Sequence, residues 1–123
     1  MTTFSIMVEQ AQARVPVTVL RLQGDIDAGT QPILQDRAAE MIAMGTTHMV
    51  LDMSEVGYMG SAGFRAIHAI NNLLDREQSD AFERSKYLKL LNPNSEVEKV
   101  IRTLGFDAFL DIHHDRDQAL ESF

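Results

Sequence analysis

The side chains that do chemistry stand in few of the patterns chemistry requires. The four histidines, His48, His68, His113 and His114, form no i, i+4 pair on a helical stretch and no HExxH run, which is how two imidazoles are brought to one zinc ion. The chain has no cysteine, so disulfides, thiol nucleophiles and thiolate metal sites are excluded. Gly60-Ser61-Ala62-Gly63 lacks the glycine spacing of a GxSxG nucleophile elbow, and no GKS or GKT follows a glycine as a P-loop demands. These absences predict no catalytic residue, no bound metal and no cofactor, and a chain that works by binding another protein.

One hydroxyl stands apart. Ser61 lies between two glycines, after a loop and at the start of a run with helical spacing. A helix N-terminus leaves backbone N–H groups unpaired and carries partial positive charge. A hydroxyl there is either an N-cap, worth about 1 kcal/mol, or a place where phosphate is tolerated. A second loop, Gly24-Asp25-Ile26-Asp27-Ala28-Gly29-Thr30, also follows a strand. Loops at the carboxyl ends of parallel strands gather on one edge of the sheet. If the two strands are neighbours, Asp25 and Asp27 come near Ser61 and make an acidic patch around it. A phosphate there would add about two negative charges to that patch and eject or select a partner. The alternative reading is that Asp27 and Thr30 cap the helix that follows.

The elements that must position these residues follow from periodicity. Phe4, Ile6 and Val8 alternate with polar residues, and after Ala13-Arg14-Val15-Pro16 a second run places Val17, Val19 and Leu22 on one face, predicting a hairpin. Thr30 as N-cap and Pro32 in the first turn open a helix carrying Leu34, Ala38, Met41 and Ile42, which Gly45 stops. Met49-Val50-Leu51, ending at Asp52 and Met53, reads as a central strand covered on both faces. Ser54 to Gly60 reads as a loop, and Phe64, Ile67, Ile70 and Leu74 as the apolar face of the helix opened by Ser61. Past the charged stretch Asp75 to Lys86, a candidate mobile excursion, come a strand at Tyr87 to Leu91 and a turn at Asn92-Pro93-Asn94. A helix on Val97, Val100, Ile101 and Leu104, a short strand at Leu110 to Ile112 and a terminal helix at Asp115 to Phe123 complete the chain. Strands alternating with helices imply an α/β fold, with a largely parallel sheet packed against helices.

A length of 123 residues suits one domain over 1–123. The formal net charge of −7, with scattered Lys and Arg, argues against a nucleic-acid partner. It suits a basic patch on another protein, or serves solubility alone. No run approaches the roughly 18 apolar residues of a membrane span. MTTFSIMVEQ lacks the basic-then-apolar pattern of a signal peptide. A cytoplasmic location, without membrane insertion, is expected.

Four segments carry a resemblance to a known family: Val19-Leu20-Arg21-Leu22-Gln23-Gly24-Asp25-Ile26-Asp27; Val50-Leu51-Asp52-Met53-Ser54-Glu55-Val56; Met59-Gly60-Ser61-Ala62-Gly63-Phe64; and Leu90-Leu91-Asn92-Pro93 through Leu104-Gly105-Phe106. In order and spacing, along nearly the whole chain, these are similar to STAS domains of the bacterial anti-sigma factor antagonist type. The resemblance implies a single-domain mixed sheet, mostly parallel with an antiparallel N-terminal strand. It implies Ser61 as phosphoacceptor, with Asp27 nearby, and a neighbourhood for partner binding made of Asp25, Asp27, Thr30, Gly60, Ala62, Gly63 and Phe64. The implied partner is an anti-sigma factor that is also a serine kinase; it binds the unphosphorylated form, phosphorylation releases it, and a phosphatase resets the cycle. Gly60 departs from the family pattern, which has aspartate there; glycine adds backbone freedom at the helix entry. Some STAS proteins are never phosphorylated and serve as constitutive subunits of stressosome-like or lipid-transport complexes, the alternative that Gly60 favours.

Overall fold

The computed structural model describes residues 4–75 and 84–123. Most of the charged stretch from Asp75 to Lys86 lies outside the described residues. The elements run β1 (Ser5–Gln12), β2 (Pro16–Gln23), α1 (Gln31–Ala43), β3 (Met49–Glu55), α2 (Ser61–Leu74), β4 (Leu88–Leu91), α3 (Ser95–Thr103), a 3-10 turn (Phe106–Ala108), β5 (Asp111–His113) and α4 (Arg116–Glu121). The five strands form one sheet in sequence order, β1-β2-β3-β4-β5, in which β1 is antiparallel to β2 and every other pair is parallel. This is the mixed, mostly parallel sheet that the sequence pattern implies.

Alternation along the strands sorts the core into two layers. Leu20 and Leu22 of β2, Met49, Leu51 and Met53 of β3, and Leu88 and Leu90 of β4 face α1, α2 and α3 in the main core. Val17, Val19, Val50 and Leu91 point to the opposite face, where they meet Ala119 of α4. Leu22 therefore does not share a face with Val17 and Val19. It lies an odd number of residues from both, and β2 is buried on its two faces over Val17 to Leu20, so composition alone carried no period. The outer face is apolar under α4; further along the sheet it carries Glu9, Arg21 and Asp52 beside the exposed Met7, linked by Arg21–Glu9 and Arg21–Asp52 pairs at 3.6 and 3.8 Å.

Two further expectations need correction. Strand β3 continues through Ser54 and Glu55, because Gln23 pairs with Glu55 and Gly24 donates its N–H to the Glu55 carbonyl at 3.1 Å. Those two residues are exposed and so left no apolar trace. In α3 only Val97 and Ile101 are buried. Val100 and Leu104 are 40% and 55% exposed, since the helix lies with a narrow stripe against the sheet. Beyond α3, Phe106–Ala108 forms a 3-10 turn entered through Gly105 at φ 80°, which brings the Phe106 ring to 5.5 Å from that of Phe64.

Lys89 of β4 is buried, and its ammonium donates to Asp111 of β5 at 2.7 Å while lying 5.2 Å from the centre of the Phe123 ring. Arg84 reaches the other oxygen of Asp111 at 2.7 Å. Burial pushes the Asp111 carboxyl up, but hydrogen bonds and charge from Lys89 and Arg84 outweigh it and hold the group below its ordinary value of 3.8. A carboxyl lowered in the folded state stabilises above its unfolded value and loses that contribution as pH falls through its folded value. Asp111→Ala, which leaves Lys89 buried without a carboxylate, should cost about 3 kcal/mol at neutral pH. In urea melts the gap between wild type and variant should close as pH is lowered below about 4.

Glycine at position 63 is a requirement of packing. A Cβ there would stand 2.3 Å from Met59 Cγ and 2.9 Å from Ile26 Cγ2, closer than atoms in a packed interior approach. Gly63→Ala should destabilise by roughly 1–3 kcal/mol, read as a lower Tm. The same change at Gly57, where a Cβ would meet only Asp25 Oδ1 at 3.4 Å, should leave Tm nearly unchanged.

Candidate functional site

Three loops meet at the carboxyl edge of the parallel strands. The segment after β2 is stitched to the one after β3 by backbone bonds: Ile26 donates to Tyr58 O and Gly60 donates to Ile26 O, each at 2.9 Å, forming an isolated parallel bridge between Ile26 and Met59. The segment after β4 joins through Asn94, whose side-chain nitrogen donates to the carbonyls of Val56 and Gly57 at 3.1 and 3.2 Å. The oxygen of the same side chain accepts from Val97 N–H at 2.8 Å and caps α3. One short amide thus orients a helix and fixes the loop leading to Ser61. Sequence reasoning took Asn94 for part of a turn; an Asn three residues before the first buried residue of a helix was the available signal.

Asp25 and Asp27 do come to the Ser61 side of the sheet, flanking the Ile26 bridge. Their roles differ. Asp27 Oδ1 accepts from the N–H groups of Gly29 and Thr30 at 2.9 and 3.0 Å. Thr30 Oγ1 accepts from Asp27 N–H at 2.9 Å and donates to the Asp25 carbonyl at 2.8 Å. The two side chains lock one another at the entry of α1. Asp25 is half-buried, with its carboxylate against Gly57.

Ser61 is not the N-cap of α2. That position belongs to Gly60, which has no side chain to cap with, and Ser61 is the first helical residue, exposed. Helices α3 and α4 are capped by the side chains of Asn94 and Asp115, whereas α2 has no side-chain cap and no acidic residue in its first turn. Among the described residues the Ser61 hydroxyl makes no hydrogen bond. Gly60 sits at φ −88° and ψ −177°, extended backbone that any residue adopts, so the conformational freedom expected of glycine is not used. Its neighbour above is the Tyr58 ring; a Cβ on Gly60 would lie 3.0 Å from the Tyr58 hydroxyl.

Behind the hydroxyl the site is apolar and rigid. Ala62, Gly63 and Phe64 are buried, with Gly63 against Ile26 and Met59 and Phe64 in the core, so they lie beneath the surface that Ser61 presents. The outward face of α2 continues with Arg65 and His68, both exposed, at the i+4 and i+7 positions that share a helical face with Ser61. Tyr58, 57% exposed, and Ile33 in the first turn of α1 add apolar surface to the same pair of loops and helix starts. Tyr58, Ile33 and Arg65 were not singled out from sequence, where nothing marks a tyrosine, isoleucine or arginine as facing outward at a loop junction. Among the described residues no group of three or more His, Asp and Glu could hold a metal ion.

Comparison with known proteins agrees with this architecture. The chain is 36% identical over 91 residues to the anti-sigma-F factor antagonist RsfB of Mycobacterium tuberculosis, covering 74% of this chain and 68% of that protein. Its fold superimposes with a TM-score of 0.76 on an anti-sigma factor antagonist from Mycobacterium paratuberculosis, at 22% identity and over 96% of this chain and 92% of that one. With the unphosphorylated form of the anti-sigma factor antagonist SpoIIAA the TM-score is 0.73, at 19% identity, over 94% and 92% of the two chains. The match to the family described as STAS domain runs over residues 9–119, from the middle of β1 into α4, and the chain belongs to the STAS domain family.

Proposed function

We propose that this protein is an anti-sigma factor antagonist: a single binding domain, not an enzyme, that occupies an anti-sigma factor when Ser61 is unmodified and leaves it when Ser61 is phosphorylated. The observation that carries the reading is the exposed Ser61 hydroxyl, free of any capping bond, at an uncapped helix start that other loops hold rigidly. Relatives with that function, RsfB by sequence and SpoIIAA by fold, support it. A phosphate on Ser61 would gain from the α2 N-terminus and from Arg65 one turn on. It would also add about two negative charges to a face that already holds Asp25 and Asp27.

In this reading the partner touches Ser61, Tyr58, Ile33 and Arg65. Asp27, Thr30, Gly60, Ala62, Gly63 and Phe64 hold that surface in place from within or from its edge. The anti-sigma factor doubles as a serine kinase, and a phosphatase restores the free hydroxyl. The constitutive-subunit reading, in a stressosome-like or lipid-transport assembly, rests on Gly60 standing where phosphorylated relatives of the family pattern carry aspartate. The geometry weakens that objection, because an extended Gly60 leaves the backbone in a conformation aspartate also adopts.

Calorimetry against the cognate anti-sigma factor tests the switch. Ser61→Ala should bind as wild type does and fail to dissociate when ATP is added, while Ser61→Asp should weaken binding by about tenfold or more, equivalent to about 1.4 kcal/mol. Equal affinity of wild type and Ser61→Asp would leave charge at this position without a role. Gly60→Asp asks about the missing carboxylate. The Tyr58 ring can swing away at its exposed end, and an N-cap carboxylate gains a few tenths of a kcal/mol over glycine, so Tm should hold or rise slightly. The rate of Ser61 phosphorylation should rise; an unchanged rate would mean that the kinase does not use a carboxylate there.

A further inference from the structure

Among the described residues nothing pairs with the outer edge of strand β1, which is long for an open edge. It runs for eight residues, Ser5–Gln12, in unbroken register with β2, whereas the opposite edge, β5, is protected by being only three residues long. Exposed edges are ordinarily blunted by lysine, proline or a bulge. Ser-Ile-Met-Val-Glu-Gln-Ala-Gln contains none of these, and its single charge, Glu9, is already engaged by Arg21 at 3.6 Å and Arg116 at 2.8 Å. Met7 is 61% exposed on this strand, and Phe4, Ile6 and Val8 are only partly covered by the main core.

The hydrogen bonds say which groups are free. Thr18 donates its N–H toward β3, to His48 O at 2.9 Å. Since N–H and C=O of one residue point the same way and alternate along a strand, Val17, Val19, Arg21 and Gln23 turn theirs toward β1. Their partners are Ala11, Glu9, Met7 and Ser5. The N–H and C=O groups of Ile6, Val8 and Gln10 therefore point away from the sheet, along the free edge.

We propose that a second copy of this chain occupies this edge, with β1 pairing antiparallel to its twin across a two-fold axis normal to the sheet, to give one continuous ten-stranded sheet. Such an axis keeps core-facing residues on the core side, so residues of equal parity pair, and the register centred on Met7 avoids setting like charges, or a charge and an apolar side chain, against each other. Centred on Met7, it sets Met7 against Met7, Ile6 against Val8 and Phe4 against Gln10, and it places Ser5, whose hydroxyl donates to Gln23 at 3.3 Å within the same chain, opposite Glu9 without opposing like charges. The four hydrogen-bonded pairs at the free positions supply about eight backbone bonds. A register centred on Glu9 would oppose two carboxylates, and one centred on Val8 would set Met7 against Glu9. The net charge of −7 on each copy repels, so the dimer should be weak at low salt and tighten as salt screens the charge.

The absence of native cysteine makes a direct test simple. Met7→Cys places two thiols at a non-hydrogen-bonded antiparallel pair, Cα atoms about 4.5 Å apart, within disulfide reach. Under mild air oxidation it should cross-link to a covalent dimer at least about tenfold faster than Met44→Cys, an exposed control on α1's far end that is 75% accessible in the parent residue. Equal rates would overturn the proposal. Amide exchange gives a second reading on unmodified protein. Met7, Glu9 and Ala11 should be protected at any concentration, while Ile6, Val8 and Gln10 should exchange fast when dilute and slow when concentrated. Exchange at those three that ignores concentration overturns the proposal, as does protection that appears only when the anti-sigma factor is added, because a partner's strand would then be the occupant. Val8→Pro removes an edge donor without touching a β1–β2 bond and should abolish the concentration dependence. If that variant does not fold, Met7→Lys, which opposes two ammonium groups across the axis, should weaken the dimer about tenfold at low salt.

Discussion

Ile26 is fully buried at a place where the sheet has otherwise ended. Its N–H donates to Tyr58, its carbonyl accepts from Gly60, and its side chain lies against Gly63 in the first turn of α2. The close approach is possible only because residue 63 has no Cβ. From this one contact the rest of the functional edge follows. The loop after β2 cannot move without the loop after β3, α2 begins where Gly60 leaves the bridge, and Ser61 is delivered to the surface one residue later. Burying an isoleucine is worth about 1.5–3 kcal/mol, so the position of a surface hydroxyl is underwritten by the core.

The electrostatic design at this edge rests on which carboxylates are engaged. Asp27 is bound to the N–H groups of Gly29 and Thr30, and Asn94 and Asp115 close α3 and α4. Helices α1 and α2 both lack a capping side-chain bond and an acidic residue in the first turn, but the Asp27 carboxylate holds the Thr30 N–H at the entry of α1, and among the described residues α2 has no such neighbour in its first turn. A helix start of that kind accepts a negative charge readily, yet it stands beside a loop carrying Asp25 and Asp27. A phosphate on Ser61 would thus be tolerated by the helix while changing the charge that this face presents. A binding module needs both properties, since a switch that unfolded its own domain would regulate nothing.

Much of this was legible in the chain. Periodicity located the five strands and four helices of the described residues, because local patterns respond to burial on one face, and the glycine-flanked serine after the central strand marked the candidate site. What escaped detection depended on long-range partners. Ser54 and Glu55 extend β3 only because Gln23 and Gly24 lie alongside. Asn94 looked like a turn residue until the carbonyls of Val56 and Gly57, far away in sequence, became its acceptors. Of the two readings of Ser61, the N-cap failed by a single residue, a shift that backbone geometry decides and composition does not. The flat two-sided burial of β2 likewise hid the face on which Leu22 lies.

The central claim is that Ser61 is a switched residue and not a passive helix start. Mass spectrometry of the protein isolated from its native cells, under resting and stressed growth, reads it most directly. The account expects phosphate on the peptide containing Ser61, at an occupancy that differs between the two conditions. Unmodified Ser61 in both would contradict it and would leave the domain as a constitutive subunit of whatever assembly co-purifies with it.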